Sequence, residues 1–201
     1  MKTSTILILS AIAVVFISLT AFNFNLKASF AEGNYKNRFY GLEFIPIKNI
    51  NEIDVMNGNR TSFTIEQGDR EGIWVAKGDR EEITWKQIGD TLQIGLSAKN
   101  DESRSYVYLN NMTVIVNKPN KISIHAGSNN NNEMQWNNGS ITIKGLKQEQ
   151  FDLHADNYTS VILTGSQLNQ LKSTIGMKGP GASALELAKD NVIQSADFKV
   201  E

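Results

Sequence analysis

The 201-residue chain contains no cysteine, two histidines and three prolines. Without thiols it can form no disulfide, no thiolate metal site and no cysteine nucleophile. Neither sign of charge dominates: 20 Lys and Arg stand against 21 Asp and Glu, a formal charge of −1. With no basic excess to neutralise a phosphate backbone, nucleic acid is not an expected partner. The sequence also lacks a P-loop, a dinucleotide fingerprint, a calcium loop, an HExxH pair and a nucleophile elbow. No cofactor is expected, and no triad of Ser, His and acid suggests an enzyme.

What the chain does have begins with one long apolar run. Residues 6–22 carry no charge: eleven are Ile, Leu, Val or Phe, three are Ala, and only Ser10, Ser18 and Thr20 are polar. As a helix this run spans about 25 Å, close to the hydrocarbon thickness of a bilayer. Two outcomes are open. A signal peptide would be cut after Ala31, with Ser29 and Ala31 at the small-residue positions. An uncleaved anchor is favoured, because that site lies nine residues beyond the apolar run. The expected organisation is residues 1–22 as signal or anchor, 23–43 as a polar tether, and 44–201 as an exported domain.

From residue 52 onward the pattern is β. Ile53 and Val55, Phe63 and Ile65, Ile73 and Val75, and Ile83 and Trp85 alternate with polar residues. Asn57-Gly58 reads as a hairpin turn, and Gly-Asp-Arg-Glu recurs at 68–71 and 78–81. The recurrence is expected to be turn chemistry with solvated Arg and Glu. Residues 44–110 therefore read as a β-meander.

The second half has a longer period. Ile141-Thr-Ile-Lys-Gly145 aligns with Val161-Ile-Leu-Thr-Gly165 at an offset of 20, and Phe151, Leu153 and Ala155 align with Leu171, Ser173 and Ile175. A looser copy holds Leu185, Leu187 and the segment from Val192. Ile122-Ser-Ile-His-Ala126 aligns with Phe151-Asp-Leu-His-Ala155 at an offset of 29. A unit this short cannot bury its inner face alone, but stacked copies bury a shared column. The expected fold is all-β: a parallel β-solenoid (β-helix) of about 20-residue coils over residues 111–201, capped by the meander and preceded by the apolar helix. The 22 asparagines suit coil corners, where left-handed backbone is needed.

The ordered set Ile50-Asn-Glu-Ile-Asp-Val55, Phe63-Thr-Ile-Glu-Gln-Gly68, Ile73-Trp-Val75, Gly89-Asp-Thr-Leu-Gln-Ile94 and Val114-Ile-Val116, followed by the Gly-ended coils, resembles the head GIN domain family. This is the auto-transporter adhesin head type found in exported Bacteroidetes proteins. The likeness covers roughly residues 44–200. It implies a β-helical envelope protein facing the periplasm or surface of a Gram-negative cell, or a secreted one if the leader is cut. It brings no catalytic residues.

Two surface groups are candidates for binding. Alternation puts Asp152, His154 and Asp156 on one outer face, and the 29-residue alignment stacks His125 beside His154 at about 4.8 Å. Two imidazoles among carboxylates are a candidate divalent-metal or acid–base group. Trp74 has the opposite parity to Ile73 and Val75. With Trp136, Tyr106, Tyr108 and Tyr158 it forms a candidate ligand face for stacking on sugar rings. The expected function is a non-enzymatic envelope module for adhesion or interaction, binding protein or polysaccharide on a flat face. The alternatives are a carbohydrate-active β-helix enzyme, or an assembly module that self-associates through an open end.

Overall fold

The computed structural model describes residues 2–31, 33, 36–98, 107–127, 139–156, 158–176 and 183–200, with backbone alone at 2–4, 29, 107, 108, 110 and 111. They belong to two units, Met1–Gly41 and Leu42–Glu201.

In the first unit one helix, α1 (Lys2–Ala31), runs for 30 residues. Its segment Thr5–Ala28 has a mean hydropathy of 2.5 and is long and apolar enough to cross a membrane. Ser10 donates to the Ile6 carbonyl at 2.9 Å and Thr20 to that of Phe16 at 2.7 Å. Bonding back along the helix hides the two hydroxyls from an apolar solvent. The helix does not stop at Phe22, where the apolar run ends, but takes in nine residues of the expected tether. Residues 23–31 contain neither Gly nor Pro, and the first breaker is Gly33 at φ 67°.

The second unit is mostly β, its described residues forming two seven-stranded mixed sheets. In spatial order the first sheet holds β1 (Leu42–Pro46), β4 (Gly72–Ala76), β7 (Val107–Val116), β3 (Thr61–Gln67), β9 (Gly139–Lys144), β11 (Thr159–Thr164) and β13 (Ala184–Leu187). The second holds β14 (Val192–Val200), β12 (Gln167–Ile175), β10 (Lys147–Ala155), β8 (Lys121–Ile124), β2 (Glu52–Val55), β6 (Thr91–Leu96) and β5 (Ile83–Ile88). Each sheet turns one apolar face onto a common core. Phe63, Ile65, Ile141, Ile143, Val161 and Leu163 come from the first sheet; Ile53, Val55, Ile122, Phe151, Leu153 and Leu171 come from the second.

From β8 onward the chain alternates between sheets, and each strand pairs in parallel with the strand two later. The 20-residue repeat sets this register: Phe151 pairs with Leu171, Leu153 with Ser173 and Ala155 with Ile175. Gly145 and Gly165 end equivalent strands at φ 73° and 60°, a backbone that costs glycine nothing. The next corner, around Asn191, is bound to this one by side chains. Ser166 N–H donates to Asn191 Oδ1 at 2.9 Å, and Asn191 Nδ2 donates to the Leu163 carbonyl at 2.6 Å.

The first half is not a meander. β2 pairs in parallel with β6 and β8, and β3 pairs in parallel with β7 and β9. Antiparallel pairing among the described residues is confined to β1–β4, β4–β7 and β5–β6. Asn57 does adopt the left-handed conformation, at φ 62°, but it opens a 3-10 turn (Gly58–Arg60) that carries the chain from one sheet to the other. A period of two reveals which face of a strand is buried. It carries no information on which strand lies alongside, or in which direction.

Candidate functional site

The two histidines do meet, though in a different register from the one the alignment implies. β10 pairs with β8 at an offset of 31 rather than 29, so His154 lies beside Ser123. One position beyond the ladder, Asp156 comes alongside His125, with its N–H bonded to the Ile124 carbonyl at 2.8 Å. A slip of two residues keeps every apolar side chain inside, so alternation cannot distinguish the two offsets.

The result is a carboxylate shared by two imidazoles. His125 Nδ1 lies 3.2 Å from one Asp156 oxygen and His154 Nε2 lies 2.9 Å from the other, with ring centroids 6.2 Å apart. The Asp156 carbonyl also accepts from the hydroxyls of Thr159 and Ser183. Asp156 therefore ties the ends of β8 and β10 to the corner that follows β12. Asp152, the fourth candidate, stands apart between Lys121 and Lys172 and accepts from Gln150 Nε2 at 3.2 Å. Among the described residues, no group of three or more His, Asp or Glu is disposed to hold a metal ion.

Asp152 belongs instead to a row of alternating charge across the second sheet. Glu52, Lys121, Asp152, Lys172 and Asp197 are successive register partners. Lys121 Nζ lies 3.7 Å from Glu52 Oε2. Cross-strand neighbours of opposite sign support pairing, and like charges in the same places oppose it.

The outer face of the first sheet has a different character. Thr113, Thr64 and Thr142 form one row across β7, β3 and β9, and Ser62, Ser140 and Ser160 form a second across β3, β9 and β11. Parallel pairing repeats these hydroxyls every ~4.8 Å, with ~6.6 Å between rows. Ser62, Thr64, Ser140 and Thr142 line a shallow depression of about 330 Å³.

Trp74 lies on the same outer face but is not open to solvent. It is only 9% exposed, because Phe44 of edge strand β1 packs on it with ring centroids 4.6 Å apart. Arg70 covers both rings, 4.3 Å from the Phe44 centroid and 5.0 Å from that of Trp74. Tyr158 sits at the corner between β10 and β11 at φ 63°, two residues after Asp156 in the chain. Tyr106 and Trp136 lie outside the described residues, and Tyr108 has only its backbone described, opposite Ser62. Of the five aromatics in the ligand face drawn from the sequence, the described side chains are those of Trp74 and Tyr158.

The two Gly-Asp-Arg-Glu turns do more than stay solvated. Arg70 stacks on Trp74 and Arg80 stacks 3.6 Å above the Trp85 ring, each covering an aromatic of the following strand. Glu71 accepts from the backbone N–H groups of Asn49 at 2.7 Å and Asn117 at 3.2 Å, joining two distant connections. An Arg four or five residues before a Trp was the available sequence signal.

Asp190 is held at the corner after β13. Its carboxylate accepts from the Gly165 backbone N–H and from Thr164 Oγ1, and these bonds hold its pKa below the ordinary carboxylate value. A lowered folded value means that protonation favours the unfolded chain. The contribution is complete above the unfolded carboxylate value and is lost as pH falls through the folded one. Denaturant titrations should therefore show wild type more stable than Asp190→Asn at pH 7, with the gap closing as pH falls below the ordinary carboxylate value. A gap that persists in acid rules out this origin.

Compared with known proteins, the chain matches no family profile and no curated protein. A solved structure from Clostridium sporogenes, provisionally described as a cell adhesion protein, aligns at 10% identity. The alignment covers 80% of this chain and 98% of that one, with a TM-score of 0.24. Likeness at that level carries no argument about function.

Proposed function

We propose that the chain is a non-enzymatic, exported interaction module, held at the cell envelope by α1, that binds an extended polysaccharide on the hydroxyl-bearing face of its first sheet. In this reading the alternating sheets wind as a β-solenoid, in keeping with the resemblance to adhesin-head domains. One observation carries it: the six hydroxyl side chains at Ser62, Thr64, Thr113, Ser140, Thr142 and Ser160 stand in two registered rows. Strand pairing fixes their spacing before any ligand arrives, so little ordering cost falls on binding. Each hydroxyl contributes only about 0.5–1.5 kcal/mol net per hydrogen bond, so useful affinity requires a ligand that touches many at once. A repeating polymer does this. The module needs no group that breaks bonds.

The test is binding of the full chain, in detergent, to a panel of envelope polysaccharides. Thr142→Lys places a long cation in the middle of the rows and should weaken binding by about tenfold or more, since losing two or three hydrogen bonds is enough. Thr174→Lys, on the opposite sheet, should leave binding unchanged. Absence of binding to every polysaccharide, or equal loss in both variants, overturns the proposal.

A further inference from the structure

Among the described residues, β13 ends the first sheet and β14 ends the second, so the nine-residue β14 has a described neighbour on one side only. Its register with β12 sets Ala196, Phe198 and Val200 beside the buried Leu171, Ser173 and Ile175. They occupy core positions, yet Phe198 is 53% and Val200 62% exposed. A long strand edge with an apolar flank is a template for another strand.

Charge indicates which strand. The alternating row of the second sheet runs Glu52, Lys121, Asp152, Lys172, Asp197 and stops at the edge. A cation continues it. In the neighbouring row Lys199 follows Thr174 and His154. Residues directly opposite each other in an antiparallel pair share a face. Pairing β14 with a second copy of itself, centred on Phe198, sets Asp197 opposite Lys199 of the second copy, and Lys199 opposite its Asp197. The same register sets Phe198 on Phe198 and Ala196 on Val200, on the core side. One alignment thus satisfies the charged face and the apolar face together, and it is self-complementary as a two-fold contact requires.

We propose that two copies of the chain join through an antiparallel β14–β14 pair, extending the second sheet across a two-fold axis. The proposal is independent of the polysaccharide reading, because its residues lie on another sheet from Thr142. β5, at the far end of the second sheet, is the competing partner. Pairing β14 with β5 would be head-to-tail and would not close.

Sedimentation equilibrium of the full chain in detergent tests the contact. Wild type should pass from monomer to dimer and stop there. Asp197→Lys sets Lys against Lys twice, and Lys199→Asp sets Asp against Asp twice. Each should raise the dissociation constant about tenfold or more, from two cross-strand pairs turned from attraction to repulsion. The double variant Asp197→Lys with Lys199→Asp restores both pairs between copies and should dimerise more tightly than either single variant, though the lysine introduced at position 197 then faces Lys172 of its own chain. Circular dichroism checks that each variant is folded. A monomer at all concentrations, open-ended growth, a dimer indifferent to the single changes, or a double variant no better than the singles each overturns the proposal. Indifference to the single changes would leave association through α1 as the explanation.

Discussion

Phe151→Ala is expected to destabilise the β unit by about 3–5 kcal/mol, the usual cost of deleting a buried aromatic ring. Phe151 has no exposed surface and leads the fully buried side chains in size. Its strand is flanked by β8 and β12, so the backbone around it is committed to two ladders and cannot collapse into the space left behind. Both the lost transfer energy and the residual cavity therefore count. Against a typical total of about 5–15 kcal/mol, this is a large fraction. Thermal melts should show a fall of roughly 10 °C, at about 2–4 °C per kcal/mol for a domain of this size. Phe151→Leu refills most of the volume and should recover more than half of the loss. A fall of less than about 1 kcal/mol for the alanine variant would mean that the shared core does not depend on this strand.

The second large effect is expected at a residue with no side chain. Gly139 starts β9, and a Cβ there would lie 1.8 Å from the Gly58 carbonyl oxygen and 2.7 Å from that of Thr61. Both obstacles are backbone, one in the turn that carries the chain from β2 to β3 and one at the start of β3, so no rotamer change relieves them. Gly139→Ala must push β9 away from the 3-10 turn and loosen its parallel pairing with β3. The cost is expected at about 3 kcal/mol or more, at the upper end for overpacking. Gly78 provides the control: an added Cβ meets nothing within 4 Å, and Gly78→Ala should stay within about 0.5 kcal/mol of wild type. Urea midpoints of the two variants decide the matter. Equal midpoints would show that the close approach of the two backbones is not part of the folded state.

These two positions differ in how visible they are. Phe151 was legible as core, since it heads a repeat whose apolar residues recur at an offset of 20. Gly139 carried no local signal, because its constraint comes from a turn 80 residues earlier in the chain. The candidate site divides in the same way. Alternation put His154 and Asp156 on one outer face, and both are there. His125 was placed beside His154 where Ser123 stands, because a two-residue slip leaves the apolar pattern intact. Trp74 was correctly given the outer face, but Phe44, from β1, and Arg70, from the turn just before its own strand, cover it.

The amino-acid order alone determined the apolar helix, the β character of the remainder, the inward face of nearly every strand and the 20-residue register from β10 to β12. All of these depend on spacing along one stretch of chain or on direct repetition. Tertiary structure alone decided that β2 and β3 lie between later strands, that Asp156 bridges both histidines, that hydroxyl rows line one sheet, and that β14 has a described neighbour on one side only. Each of these is a relation between strands distant in sequence, and hydrophobic burial has no direction with which to specify such a partner.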